Sequence, residues 1–145
     1  MHVAVVQLNV QDDVAANLQR VKHWIAQSAA AGAQLVVLPE NFAFMGEEAR
    51  KRELAERLDG AFPGPILGAL SESAARHGVW VIGGGMPETS DDLSRPYNTS
   101  VLVDPRGEIA AKYRHRVDPS KIIARSVWRA GMETSADLVT ELPAE

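Results

Sequence analysis

The sequence predicts an α/β fold in which short buried strands alternate with amphipathic helices. Apolar runs at residues 2–8 and 34–38 flank a segment with helical spacing, and a second helical stripe leads into the apolar run 79–82. Two alternating segments then enclose the turn sequence Asp-Pro-Arg-Gly at 104–107. The resulting order, β-α-β-α-α-β-β-β, is typical of a parallel sheet with an antiparallel edge. The 145 residues form one domain or part of a larger one.

The first strand-helix-strand unit occupies about forty residues. Asp12 or Asp13 can cap the helix, and Gly32 ends it. Its apolar stripe recurs every three or four residues, at Val14, Leu18, Val21 and Ile25. Because the second strand follows at once, we expect a parallel pair joined by a right-handed crossover.

Proline and glycine residues mark the boundaries of the next predicted elements. Residues 47–58 are charged and predict a surface helix, and Pro65 begins a second helix that ends at Gly78. The strand at 79–82 runs into three glycines and then a polar loop. Residues 97–103 and 108–113 predict a hairpin. A helical piece at 120–128 and a strand at 136–142 are further expectations.

Composition excludes several classes of protein. Net charge is −4 and the basic residues are scattered, which predicts no nucleic-acid or membrane partner. No apolar run approaches the roughly 18 residues that a membrane helix needs, and no basic leader is present, so we expect a cytoplasmic protein. The sequence has no cysteine, which excludes disulfides and thiolate metal sites. The four histidines are isolated in sequence, so no metal site is predicted.

Few polar residues fall at predicted strand ends, namely Glu40, Asn41, Asn98 and Lys112. Glu40 and Lys112 could form a general base beside a cation that stabilises an oxyanion, or they could form a structural ion pair, which spacing alone favours. The glycines at 83–85 lack any phosphate-binding pattern, so close backbone approach at a strand end is the better interpretation.

Several segments, in their order and spacing, resemble the carbon–nitrogen hydrolases, or nitrilase superfamily. The stretch 41–44, Asn-Phe-Ala-Phe, is most similar to the branch that hydrolyses deaminated glutathione, with ω-amidases next. The resembling segments cover residues 2 to about 114, and they are 3–9, 32–42, 78–84, 97–100 and 104–114.

The resemblance implies a fold, a chemistry and a site. The fold would be a nitrilase-type αββα sandwich, incomplete in this chain, and the substrate a small carboxamide, with no metal or cofactor. Glu40 would be the general base and Lys112 the oxyanion-stabilising cation, while a cysteine would carry the acyl group. Asn41, Phe42 and Asn98 would line the substrate site.

The chain departs from the family after the lysine. The family's cysteine lies on a strand about forty residues further on, whereas residues 114–145 form a divergent tail without cysteine. We therefore expect residues 1–145 to be a truncated domain that is inactive alone, with an open sheet face that favours homo-oligomers. Two alternatives stay open: a catalytically dead fragment acting as an interaction module, and an unrelated α/β ligand-binding domain.

Overall fold

The computed structural model describes residues 1–60, 62–92 and 94–115, and these form a two-layer α/β unit. Its single five-stranded sheet has the strand order β1-β2-β3-β4-β5. β1, β2 and β3 are parallel, while β4 and β5 add antiparallel strands. The predicted order of elements is confirmed. The elements are β1 (Val3–Val5), α1 (Val14–Ala30), β2 (Leu35–Val37), α2 (Glu48–Glu53), α3 (Pro65–His77), β3 (Trp80–Glu88), β4 (Tyr97–Val103) and β5 (Ile109–His115). The segments 120–128 and 136–142 lie outside the described residues.

Local sequence signals place α1 and α3. The Asp13 side chain caps α1 by accepting a hydrogen bond from the backbone N–H of Ala16 at 3.0 Å, as predicted. Pro65 is the first residue of α3, and Gly78 ends the helix with φ at 65°, a left-handed conformation that favours glycine. Both helices cover the same face of the sheet and pack against each other. Their apolar stripes pack in the core with the strand residues Val36, Val81, Val101 and Val103.

The helix α2 is shorter than predicted. It ends at Glu53 rather than at residue 58, and none of its residues is buried. Glu56 instead forms a parallel bridge with Glu88, since its N–H donates to Pro87 O and its carbonyl accepts from Thr89 N. The Glu56 carboxylate then caps α3, accepting from the N–H groups of Ile66 and Leu67 at 2.6 and 2.9 Å.

The strand β3 is longer than predicted. It continues through the three glycines to Glu88, so the polar loop predicted from residue 86 begins later. β4 pairs with this whole length, and the register shifts between Gly83 and Met86, where β3 holds one residue more than β4. This β-bulge bends the strand beside the end of β2.

The second face of the sheet is not covered by the described helices. Side chains alternate along a strand, and the register aligns an apolar row across this face. Val5 is 49% exposed, Trp80 37% and Tyr113 67%. The open apolar face agrees with the prediction of an incomplete sandwich. Among the described helices, none combines the length and the apolar character that crossing a bilayer requires.

Candidate active site

Glu40 lies just past the end of β2, at the edge of the sheet where the parallel strands finish. Its Oε1 accepts a hydrogen bond from Asn98 Nδ2 at 3.1 Å, a contact that joins the ends of β2 and β4. Asn98 Oδ1 is buried and accepts no hydrogen bond within the described part of the chain. The structure therefore brings together two of the predicted site residues, and one amide oxygen beside the carboxylate is available to a donor.

The bulge in β3 makes this approach possible. A Cβ built on Gly84 would lie 2.5 Å from the carbonyl oxygen of Leu38, and one built on Gly85 would lie 2.9 Å from Asn98 Oδ1 and 3.4 Å from Glu40 Cγ. Gly85 also has φ at 155°, where side chains are strained. The prediction that these glycines permit close backbone approach is confirmed.

Asn41 and Phe42 follow Glu40 but point to other partners. Asn41 has φ at 58°, the left-handed conformation that asparagine tolerates, and its Oδ1 accepts from Lys51 Nζ at 3.2 Å. The Phe42 ring is 0% exposed and belongs to the core under the helices. The sequence-based expectation that Phe42 contacts substrate disagrees with this burial, since a fully packed ring positions the loop from below.

The loop carrying Glu40 is fastened by a buried side chain of α1. Asn17 is 2% exposed. Its Nδ2 donates to the carbonyls of Gln11 and Ala43 at 2.7 and 3.0 Å, and its Oδ1 accepts from the Gln11 N–H at 3.1 Å. Met45 N also donates to Gln11 O at 3.0 Å. One amide group thus ties the segments after β1 and β2 to α1, which fixes the position of Glu40.

Lys112 is not brought to Glu40 in this structure. It lies in the middle of β5 rather than at a strand end, and its Nζ forms an ion pair with Glu88 Oε1 at 2.9 Å. The register pairs Lys112 with Val101, a core residue, and Asn98 with His115. Because side chains alternate, Lys112 lies on the helix-covered face and His115 on the face that carries Asn98 and Glu40.

Sequence reasoning missed Glu88, which forms the second polar cluster. This carboxylate is 3% exposed and accepts from Thr99 Oγ1 at 2.7 Å and from Arg114 Nε and a terminal guanidinium nitrogen at 2.8 Å each, besides Lys112. The hydrogen bond with Arg114, outweighing the cost of burial, lowers the pKa of Glu88 to about 2. No sequence signal pointed to it, because residues 86–96 are predicted as a loop.

Burial acts in the opposite direction at Glu56. Desolvation raises the pKa of its carboxyl, and the two backbone hydrogen bonds from α3 oppose that rise. The described residues hold no group of three or more histidine or carboxylate side chains placed to bind a metal ion. Within the described residues, this edge of the sheet presents an oriented carboxylate, an amide and a bulged backbone.

Comparison with known proteins gives a consistent picture. The sequence profile of the carbon-nitrogen hydrolases matches residues 2–140, which includes most of the segment 114–145. The chain is 35% identical over 115 residues to the deaminated glutathione amidase of Synechocystis sp., covering 79% of this chain and 40% of that protein. It is 36% identical over 112 residues to the omega-amidase NIT2 of Danio rerio, covering 77% and 38% respectively.

A solved structure shares the fold. Nit3 of Saccharomyces cerevisiae, a member of branch 10 of the nitrilase superfamily, superposes with a TM-score of 0.72 at 30% identity, over 81% of this chain and 44% of that one. The chain spans about 40% of the length of the curated relatives it matches. Its fold is that of a partial nitrilase-type domain.

Proposed function

Because the chain belongs to the carbon–nitrogen hydrolase family, we propose that it supplies the general base of an amidase site that hydrolyses a small carboxamide. The observation that carries the proposal is the Glu40 carboxylate at the end of β2, oriented by Asn98 beside the bulge of β3. Open α/β sheets bind ligands at this edge. Family membership excludes the alternative of an unrelated α/β ligand-binding domain.

In the proposed reaction Glu40 accepts the proton of the nucleophile and returns it to the leaving amine. By resemblance to the family, that nucleophile would be a cysteine. These 145 residues contain no cysteine. Thioester chemistry at Glu40 therefore requires a thiol that these 145 residues do not supply. The proposed substrate class is a small carboxamide, and hydrolysis of an amide is supported by the names of the two amidases that the chain resembles at 35% and 36% identity.

The roles of the other predicted site residues remain proposals, and the structure supports some of them better than others. Asn98 is supported as a substrate contact, because its buried Oδ1 can accept the N–H of a carboxamide next to Glu40. An oxyanion role for Lys112 has less support, since its ion pair with Glu88 lies on the other face of the sheet. Asn41 is engaged by Lys51 in α2.

Ligand binding tests this proposal without requiring turnover. Titrating butyramide into the nitrogen-15-labelled chain should shift the side-chain amide signals of Asn98 and the backbone amide of Gly85. Glu40→Gln, which keeps the shape and removes the charge, should alter these shifts, while the exposed Glu53→Gln should leave them unchanged. Signals at Asn98 and Gly85 that do not respond to butyramide would exclude an amide site here.

An assay of ammonia release complements the titration. We expect no release from butyramide by the isolated chain, because it has no thiol. Release by the chain alone would refute the thiol requirement, and its loss in Glu40→Gln would then identify a different mechanism at the same carboxylate.

A second candidate function is an interaction module, and the open sheet face favours it. Three large side chains of this face, Val5, Trp80 and Tyr113, are each more than a third exposed. Exposed apolar faces of this kind mark surfaces that pair with another chain. We propose that they support a homo-oligomer.

A further inference from the structure

We infer that a cleft at the end of β1 binds a small organic carboxylate with a flat apolar body. The cleft lies between the segment that follows β1 and the middle of α1, and its volume is about 330 Å³. That volume is within the range of roughly 300 to 1,000 Å³ found for small-molecule sites. The described residues that line it are Gln7, Leu8, Asn9, Gln11, Arg20 and Trp24.

The charge of the cleft selects an anion. Arg20 carries the one formal charge among the six described lining residues. Its terminal nitrogen donates to Asn17 Oδ1 at 3.0 Å, and Asn17 is itself buried and held by backbone groups. This bond uses one of the five N–H groups of the guanidinium and orients the remainder. A pre-oriented guanidinium is suited to bidentate binding of a carboxylate.

The uncharged residues that line the cleft favour a ligand with a flat apolar group. Trp24 follows Arg20 by one helical turn, so both side chains lie on the same side of α1. The indole ring and Leu8 give an apolar surface on which a planar group can stack. Gln11 Nε2 donates to Asn9 Oδ1 at 2.7 Å, which orients two amides at the rim. A carboxylate attached to an aromatic ring matches this arrangement of one cation and one flat apolar wall.

The cleft is separate from the Glu40 site, but hydrogen bonds of Asn17 connect the two. It lies at the end of β1, whereas Glu40 follows β2, the next strand of the sheet. Asn17 bonds both the Arg20 guanidinium and the carbonyl of Ala43 in the Glu40 loop. The inference does not depend on the proposed amidase function, because its ligand, its residues and its reporter signals differ.

Titration of the labelled chain with sodium benzoate at constant ionic strength tests the inference. Benzoate should shift the indole N–H of Trp24 and the backbone amide of Gln11, and neutral benzamide should bind there at least about tenfold more weakly. Arg20→Gln should raise the dissociation constant for benzoate by about tenfold or more. Arg57→Gln is the matched control, because Arg57 is exposed and bonded to Asp59, and it should change nothing.

Three results would overturn the inference. They are an unresponsive Trp24 signal, equal binding of benzoate and benzamide, and unchanged affinity in Arg20→Gln. Comparing benzoate with benzamide on the unaltered chain decides the question even if Arg20→Gln fails to fold. Shifts confined to Asn98 and Gly85 would assign benzoate to the Glu40 site and equally refute the cleft.

Discussion

Glu88 shows how one buried carboxylate can organise a strand. It receives hydrogen bonds from Thr99 on β4 and from Lys112 and Arg114 on β5, while the guanidinium of Arg114 also lies 4.4 Å from the centre of the Tyr97 ring. These contacts fix the register of β5 against β4. The same register places His115 opposite Asn98, on the face that carries Glu40. An ion pair on one face thus determines which side chains meet on the other.

Replacing Glu88 by Gln should destabilise the chain at pH 7. The folded-state pKa of about 2 is below the ordinary 4.5, so the ionised carboxylate contributes stability that is present above pH 4.5 and lost as pH falls towards 2. At 1.36 kcal/mol per pKa unit, and with solvent screening of the partly exposed cations, we expect a loss of about 2 to 3 kcal/mol. Urea denaturation measures it, and the difference from wild type should shrink clearly by pH 3.

Glu72→Gln is the matched control for this substitution. Glu72 also binds two cations, Lys22 and Arg76, but on the exposed surface of α3. Its replacement should change the free energy of unfolding far less than that of Glu88. A Glu88→Gln loss that stays constant from pH 7 to pH 3 would show that packing, not charge, is responsible.

At the scale of elements, the β-bulge of β3 determines whether the ends of three strands can meet. Gly84 lies against Leu38 and Pro39, which follow β2, and Gly85 lies between Glu40 and Asn98. Sequence alone predicted the close approach, because consecutive glycines at the end of a buried strand leave room for a neighbouring backbone. It could not predict that the strand continues to Glu88, since pairing with β4 decides this and Gly, Pro and Glu are poor strand formers.

Gly84→Ala should push β3 away from β2. The added Cβ would meet backbone atoms of Leu38 and Pro39 at 2.5 and 2.7 Å, and backbone cannot rotate aside as a side chain can. We expect a loss of about 2 kcal/mol or more, measured by urea denaturation, together with altered amide signals of Asn98.

Gly68→Ala provides the control within the same chain. Gly68 is in α3, and its nearest described neighbour, Pro63 Cγ, would be 3.9 Å from the added Cβ. Because alanine favours helix over glycine, this change should be neutral or stabilise by up to about 1 kcal/mol. If Gly84→Ala left the free energy of unfolding unchanged, the loop after β2 would have to move freely. That result would contradict the argument that the hydrogen bonds of Asn17 hold this loop in place.

Elements with local start and stop signals could be predicted closely, and those that depend on distant residues could not. Asp13, Pro65 and Gly78 mark the ends of α1 and α3 within one turn of chain. Glu56, by contrast, caps α3 from ten residues away, and no short-range pattern reveals such a cap. The candidate site follows the same rule: Glu40 was predictable from a strand followed by proline, whereas the partner of Lys112 depended on β3 reaching Glu88.

At the scale of the whole molecule, helices bury one face of the sheet, and the described residues leave the other face open. The helices α1 and α3 shield the first face, while the opposite face, which carries Val5, Trp80 and Tyr113, meets solvent in the described part of the chain. The relatives are more than twice as long as the matched region. Only the family resemblance predicted this open face. A strand that is buried on both faces and a strand that is buried on one face can contain the same residues, so composition does not distinguish them.

The purified chain should self-associate through this face. We expect light scattering to detect a dimer or larger species, and the double variant Val5→Lys with Tyr113→Lys to weaken association by about tenfold or more, because like charges would face each other. Phe62→Lys is the control, since Phe62 is 89% exposed in the segment before α3 and away from the sheet. A monomeric wild-type chain that binds no hydrophobic dye would contradict this expectation.

The strand order of the sheet also bears on how the chain is synthesised. Every strand of the described part lies next to its neighbour in sequence, so the spatial order β1-β2-β3-β4-β5 repeats the order in which these strands leave the ribosome. Each new strand can therefore pair with an edge that already exists, and no strand has to be inserted between two earlier ones. Within the described part, the nascent sheet grows in one direction, and β3 acts as its exposed growing edge until β4 emerges to cover it.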